Sequence, residues 1–110
     1  MGYYDEPITL CGCSAYTKKY FFNEDFEMLP QSVKDELKVM CVLFTEDVGG
    51  VLMLTFDEDG SLDLVVDSNE DDILYDEIGS ALKIKELQRE KRKLFESLQM
   101  FYEVMKNEDE

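Results

Sequence analysis

Ala81 to Met105 reads ALKIKELQREKRKLFESLQMFYEVM, and its periodicity decides what kind of fold the chain can adopt. Ile84, Leu87, Leu94, Leu98, Phe101 and Met105 recur at alternating three- and four-residue steps, with Lys91 in the remaining slot. That spacing predicts a helix with an apolar seam. The seam widens after Leu94, where Phe95 and Tyr102 join it. The run has no proline or glycine, and its commonest residues are strong helix formers. At about 1.5 Å per residue the helix is roughly 40 Å long. A domain of this size has a radius of gyration of about 13 Å. The helix is therefore expected to match or exceed the body it packs on, leaving part of its seam for a partner.

Outward from this helix, the chain carries the means to fold. Its 110 residues suffice for one domain with a modest core, taken here as 1–110 with frayed ends at 1–7 and 107–110. It is 45% hydrophobic, with seven Phe and six Tyr, which argues against the disorder its charge would suggest. The formal net charge of −15 repels phosphate backbones and anionic lipid, so neither nucleic acid nor a membrane surface is an expected partner. No apolar run reaches the length of a membrane span. The N-terminus lacks the basic and apolar regions of a secretory signal, and Glu6 stands where a myristoylation motif needs Ser or Thr. Three cysteines, an odd and sparse number, suit a reduced cytoplasmic setting.

Before the long helix, residues 8–13 read as a weak strand or an irregular packed segment. Residues 16–22, YTKKYFF, fit a strand or a short helix equally well. Asn23-Glu24-Asp25 caps a short helical turn. Residues 31–47 form a helix entered through Pro30 and ended by Gly49-Gly50. Its second half is apolar almost all round, which predicts burial and places Cys41 in the core. Val51–Phe56 and Leu62–Val66 form an antiparallel hairpin around a polar turn containing Gly60. Ser68 and Asp71 then offer a capping box for a helix whose apolar face is Ile73, Leu74 and Ile78, with Gly79-Ser80 kinking or ending it. The fold class is α+β: a central helix, an antiparallel hairpin or small sheet, and a long C-terminal helix.

Two runs carry a resemblance: LFTEDVGG at Leu43–Gly50 and DEIGSALKIKELQRE at Asp76–Glu90. They resemble a small family of proteins from gut Clostridia and relatives, known as a domain of unknown function. The likeness extends roughly from Tyr16 to Tyr102. It implies a bacterial, cytoplasmic protein and transfers no catalytic or binding residue.

Few residues promise chemistry. Cys11 and Cys13 could bind a soft metal, but with no histidine and only Cys41 remaining, a complete zinc site would need carboxylates or a second subunit. As small apolar core residues they need no ligand at all. Asp57-Glu58-Asp59-Gly60-Ser61-Leu62-Asp63 resembles the middle of a calcium loop. Thr55 and Val66 occupy its two anchor positions, so a hairpin turn fits better. Without histidine there is no Ser-His-Asp or Cys-His arrangement, and no phosphate-binding glycine loop is present. No enzyme activity, catalytic residue, cofactor or metal is expected.

Asp57–Glu77 carries ten acids and no base, whereas residues 83–93 carry six bases and two acids. These are either two solvated faces or partners, within a subunit or across a dimer. The leading expectation is a non-enzymatic protein-binding module. It would act as a homodimer through Leu94, Leu98, Phe101 and Met105 of the C-terminal helix, unless residues 8–22 fold over that seam. The alternatives are an acidic protein binding divalent cations and a small chaperone-like adaptor.

Overall fold

The computed structural model of the protein describes residues 7–108. Strand β1 (Ile8–Ser14) turns back into β2 (Lys19–Phe22), followed by a 3-10 turn at Glu24–Phe26. Helix α1 (Gln31–Val48) leads into the hairpin β3 (Val51–Phe56) and β4 (Leu62–Asp67). Helices α2 (Glu77–Glu90) and α3 (Arg92–Glu108) complete the chain. The four strands form an antiparallel sheet in the order β2-β1-β3-β4. The architecture is α+β, as the sequence implies, with two layers that bury one face of the sheet under helices. Among the described residues, no helix is long and apolar enough to cross a membrane.

The sheet settles what periodicity left open. Residues 8–14 are a full strand, and YTKKYFF divides into a tight turn and β2. Lys18 takes a positive φ of 59° in that turn. Thus β1, paired on both sides, becomes the centre of the sheet rather than a marginal edge. A bulge lies between Thr9 and Cys11. Beyond it Cys11 and Cys13 face α1, and Gly12 faces the other way. In β3, Leu52, Leu54 and Phe56 are buried and alternate with half-buried Val51, Met53 and Thr55, the period of a two-faced strand.

The expected caps at Asn23 and Gly49 are present. The Asn23 side chain accepts from the Asp25 N–H, and Gly49 N–H donates to Thr45 O at 2.9 Å. Gly50 has φ 72°, and a Cβ there would lie 2.6 Å from Asp67 O, so both conformation and space demand glycine.

Three expectations are corrected. First, the helical run from Ala81 is not one rod. The chain bends at Lys91, where φ is −104° and ψ 18°, although Lys91 N–H still bonds Leu87 O and Phe95 N–H bonds Lys91 O. Neither proline nor glycine lies nearby, so the bend reflects different partners on its two sides. α2 lies along α1, and α3 lies against β4. The molecule measures 46 × 31 × 24 Å, and at about 1.5 Å per residue α2 and α3 are each roughly 20–26 Å long.

Second, no helix starts at Ser68. The Tyr16 hydroxyl donates to Asp72 Oδ2 at 2.6 Å and accepts from Asn69 N–H at 3.0 Å, while Asp76 N–H donates to Val48 O. These tertiary bonds occupy groups that a helix would need. Asp76 instead caps α2 by accepting from Gly79 N–H. Ser80, inside α2, is buried and accepts from the Tyr75 hydroxyl at 2.8 Å.

Third, α1 is not buried all round: Val39 and Leu43 are 55% and 58% exposed, because the sheet covers only one side of it. The expected fraying of 1–6 and 109–110, like the Gly2 and Asp5-Glu6 readings, lies outside the described residues, whereas helix continues through Asn107 to Glu108.

The core joins Leu10, Cys11, Leu37, Cys41, Phe44, Leu52 and Leu54 to Leu98 and Tyr102. Tyr102 stacks on Phe56 with centroids 4.3 Å apart and planes at 8°, and Phe26 closes a triangle of rings, 5.6 Å from Phe56 and 6.3 Å from Tyr102. Such pairs contribute about 0.5–1.5 kcal/mol beyond the area they bury.

Candidate functional site: the groove between α1 and α2

The helical layer has a seam of its own. α2 runs antiparallel to α1 and is fastened at its middle and at its C-terminal end: Lys83 Nζ lies 2.8 Å from Asp47 Oδ2, and Lys91 Nζ lies 2.8 Å from Glu36 Oε2. The hydrogen bond to Asp47 foremost raises the pKa of Lys83. Two of the six bases of the stretch 83–93 are thus paired with acids of α1 and Arg92 with Glu96 of α3; among the described residues none makes a salt bridge to the acidic segment 57–77. Lys91, the odd residue of the apolar seam, stands at the rim with its ammonium turned to Glu36.

Between the two fasteners lies an open groove of about 640 Å³. Met40 and Phe44 form part of its floor, Leu87 comes from the α2 side, and Val39 and Leu43 rise exposed on the α1 side. Valine and leucine one turn apart on α1 are the natural edge of an apolar strip. The groove's charge is lopsided. Both lysines are paired with α1, while Asp35, Glu86 and Glu90 also line it. Among the described residues, Glu86 and Glu90 make no salt bridge. A second apolar set lies near the start of α2, where Ile73, Leu74, Ile78 and Leu82 are between 63% and 93% exposed.

The expected interface residues lie elsewhere. Leu98 is 2% exposed and belongs to the core, and Leu94, Phe101 and Met105 are half-buried against it. They are not four side chains left in water, because the seam of α3 meets the chain's own sheet and Phe26. Residues 8–22 do not cover it; they form β1 and β2. The exposed apolar residues of α3 are Met100 and Val104.

The cysteines form a closed cluster. Cys11, Cys13 and Cys41 are all buried, with 4.0 Å between Cys11 and Cys41 sulfurs and the Thr45 hydroxyl 3.5 Å from Cys13 Sγ. The thiol–thiol hydrogen bond lowers the pKa of Cys11 and raises that of Cys41. Tyr20, on the same side of the sheet, has a buried hydroxyl that finds no hydrogen-bond partner among the described residues, and burial foremost pushes its pKa up. Among the described residues, no group of three His, Cys, Asp or Glu side chains is arranged to hold a metal ion.

In the loop 57–61, the Asp57 carboxylate accepts from the N–H groups of Asp59 and Ser61, and Gly60 has φ 89°, the geometry of a hairpin turn. The Asp57–Asp59 side-chain hydrogen bond foremost raises Asp57 and lowers Asp59 to about 2.

Periodicity overlooked the groove because Val39 and Leu43 read as core in an apolar stretch. The usable signal was their position opposite Leu37, Cys41 and Val48 on the helical wheel. The model of a family of unknown function (DUF6145) matches residues 7–110, and the chain belongs to that family. No curated protein and no solved structure matches the chain.

Proposed function

From the geometry of this groove, we propose that the chain is a non-enzymatic protein-binding module whose α1–α2 groove receives a basic amphipathic helix of another protein. One observation carries this reading: an apolar strip, Val39 and Leu43 above Met40, Phe44 and Leu87, is left open in a rim with surplus acid. Helix-in-groove recognition uses apolar anchors at i, i+3 and i+4, and those of the partner would seat on this strip. Lysines and arginines beside them would meet Asp35, Glu86 and Glu90. The chain's net charge of −15 would speed the encounter. A bacterial, cytoplasmic setting fits this role.

The test is titration of isotope-labelled protein with a synthetic leucine- and lysine-rich helical peptide, followed by amide and methyl NMR. Shifts centred on Val39, Leu43 and Leu87, lost in Val39→Glu with Leu43→Glu, support the groove. Shifts spread over the acidic surface and retained in that variant defeat it.

A further inference from the structure

The sheet has a second face, across from the helices. Three cross-strand rows occupy it: Thr9, Thr55 and Asp63 over β1, β3 and β4, and two that span all four strands. One reads Lys19, Ser14, Val51, Asp67 over β2, β1, β3 and β4; the other reads Phe21, Gly12, Met53, Val65. Phe21 is 55% and Val65 41% exposed. Gly12 supplies no side chain, so a shallow groove of about 670 Å³ opens along β1, lined in part by Phe21 and Met53.

Each four-strand row complements itself when reversed. Consider two such sheets stacked face to face about 10 Å apart, with a twofold axis between them parallel to the strands. The rotation lays β2 of one copy over β4 of the other, and β1 over β3. Lys19 then stands over Asp67, and Asp67 over Lys19. Phe21 meets the smaller Val65. The long, adaptable Met53 comes over Gly12, where that copy's own Met53 already leans with its Cγ 3.0 Å from the place a Gly12 Cβ would take, so the two methionines pack on each other. The other in-plane twofold, perpendicular to the strands, would keep β4 over β4. It would set Asp63 against Asp67 twice, because these residues end the rows on either side of Val65. Charge thus selects the first arrangement.

We propose that the protein forms a homodimer by stacking the outer faces of its two sheets about this axis, with Lys19–Asp67 pairs at both edges and Phe21, Met53 and Val65 between them. The occupant is a second copy because the four-strand rows match their own reverse, the self-complementarity that a twofold interface requires. The partner groove of α1 and α2 lies on the opposite side of the sheet, so this dimer neither needs nor blocks it. A four-stranded face is about 19 Å wide, at the small end for a specific interface, and the net charge of −15 per copy opposes association. The equilibrium must therefore be read over a wide concentration range.

Sedimentation equilibrium of the full chain from about 10 to about 500 µM, at an ionic strength of about 0.15 M to screen the net repulsion, tests this. The expected result is a monomer–dimer equilibrium. Lys19→Asp and Asp67→Lys each bring like charges together, and each weakens it by about tenfold or more. The two substitutions together restore the dimer. In one copy these residues stand three strands, about 14 Å, apart, so the rescue reports contact between copies. Met53→Lys abolishes the dimer, while Val39→Glu with Leu43→Glu leaves it intact. Circular dichroism verifies that every variant is folded, as expected for exposed Lys19 and Asp67. A monomer throughout the range overturns the proposal. So does a dimer indifferent to the single charge reversals, or one that the double reversal fails to restore.

Discussion

Along α3, Phe95, Leu98 and Tyr102 are buried, whereas the buried side chain of α2 is Ser80. Both helices come from one run with the same strong helix formers. α3 docks by shape: its apolar face enters the core beside Phe26, Phe56 and Leu62, and Gln99 Oε1 accepts from Leu62 N–H at 2.8 Å. α2 docks by polar ties: Lys83 and Lys91 reach α1, Asp76 caps it, and half-buried Ile84 and Leu87 supply modest apolar contact. The difference teaches that a common propensity does not give a common anchorage. Packing holds α3 where it is, while polar ties fix α2 and leave a groove beside it.

The largest effect should come from emptying the α3 site. Leu98→Ala should cost about 2–5 kcal/mol, the range for a fully buried leucine that leaves a cavity. Leu87→Ala, from a half-buried position on α2, should cost about 1 kcal/mol, since less area returns to water. Urea unfolding followed by circular dichroism measures both. Equal losses at the two positions would break the contrast.

A smaller effect is expected from the fasteners. Lys83→Ala and Lys91→Ala should each lower stability less than Leu87→Ala does, because both pairs are partly solvated and screened. Hydrogen exchange should quicken in α2 and remain slow in α3. Loosening of α3 by either change would show that the two helices behave as one rod.

The smallest effect concerns the loop that leads into α2. The hydrogen bond to Asp72 foremost raises the pKa of Tyr16. A raised folded-state value means that the bond's contribution is complete below the ordinary tyrosine pKa of about 10. It is lost as pH climbs through the higher folded value. Burial also raises Tyr20 and Tyr102, so ultraviolet titration should show a late-ionising phase that shrinks by one tyrosine in Tyr16→Phe, with faster exchange in residues 68–76 at alkaline pH. An unshifted Tyr16 would mean that the loop is held by backbone bonds alone.

These contrasts also mark how far the sequence could be read. The apolar run Val51–Phe56 between turn signals, with period-two alternation in Leu62–Asp67, gave the hairpin, because a half-buried strand such as β4 writes its two faces into the chain directly. Asn23, Gly49 and Gly60 gave caps and turns, since those conformations have local chemical requirements. The groove was hidden by the same periodicity that revealed the helices. Val39 and Leu43 differ from Val42 and Phe44 only in what lies opposite them. Likewise, Leu98 and Phe101 read as one exposed seam because nothing in residues 81–105 specifies that Phe26 and Phe56 will come to meet it.

The sequence by itself determined the central helix, the β3–β4 hairpin, the α+β class and the apolar character of α3, all of which follow from side-chain spacing and backbone preference within a few turns. Only the tertiary structure decided the bend at Lys91, the start of α2 at Glu77 and the central place of β1. It also decided which apolar residues remain in water. Each of these depends on contacts between distant segments: Glu36 with Lys91, Tyr16 with Asp72, Gly12 with Met53. Local preference along the chain is nearly indifferent between the outcomes, so the lower free energy is set by the partner across the fold.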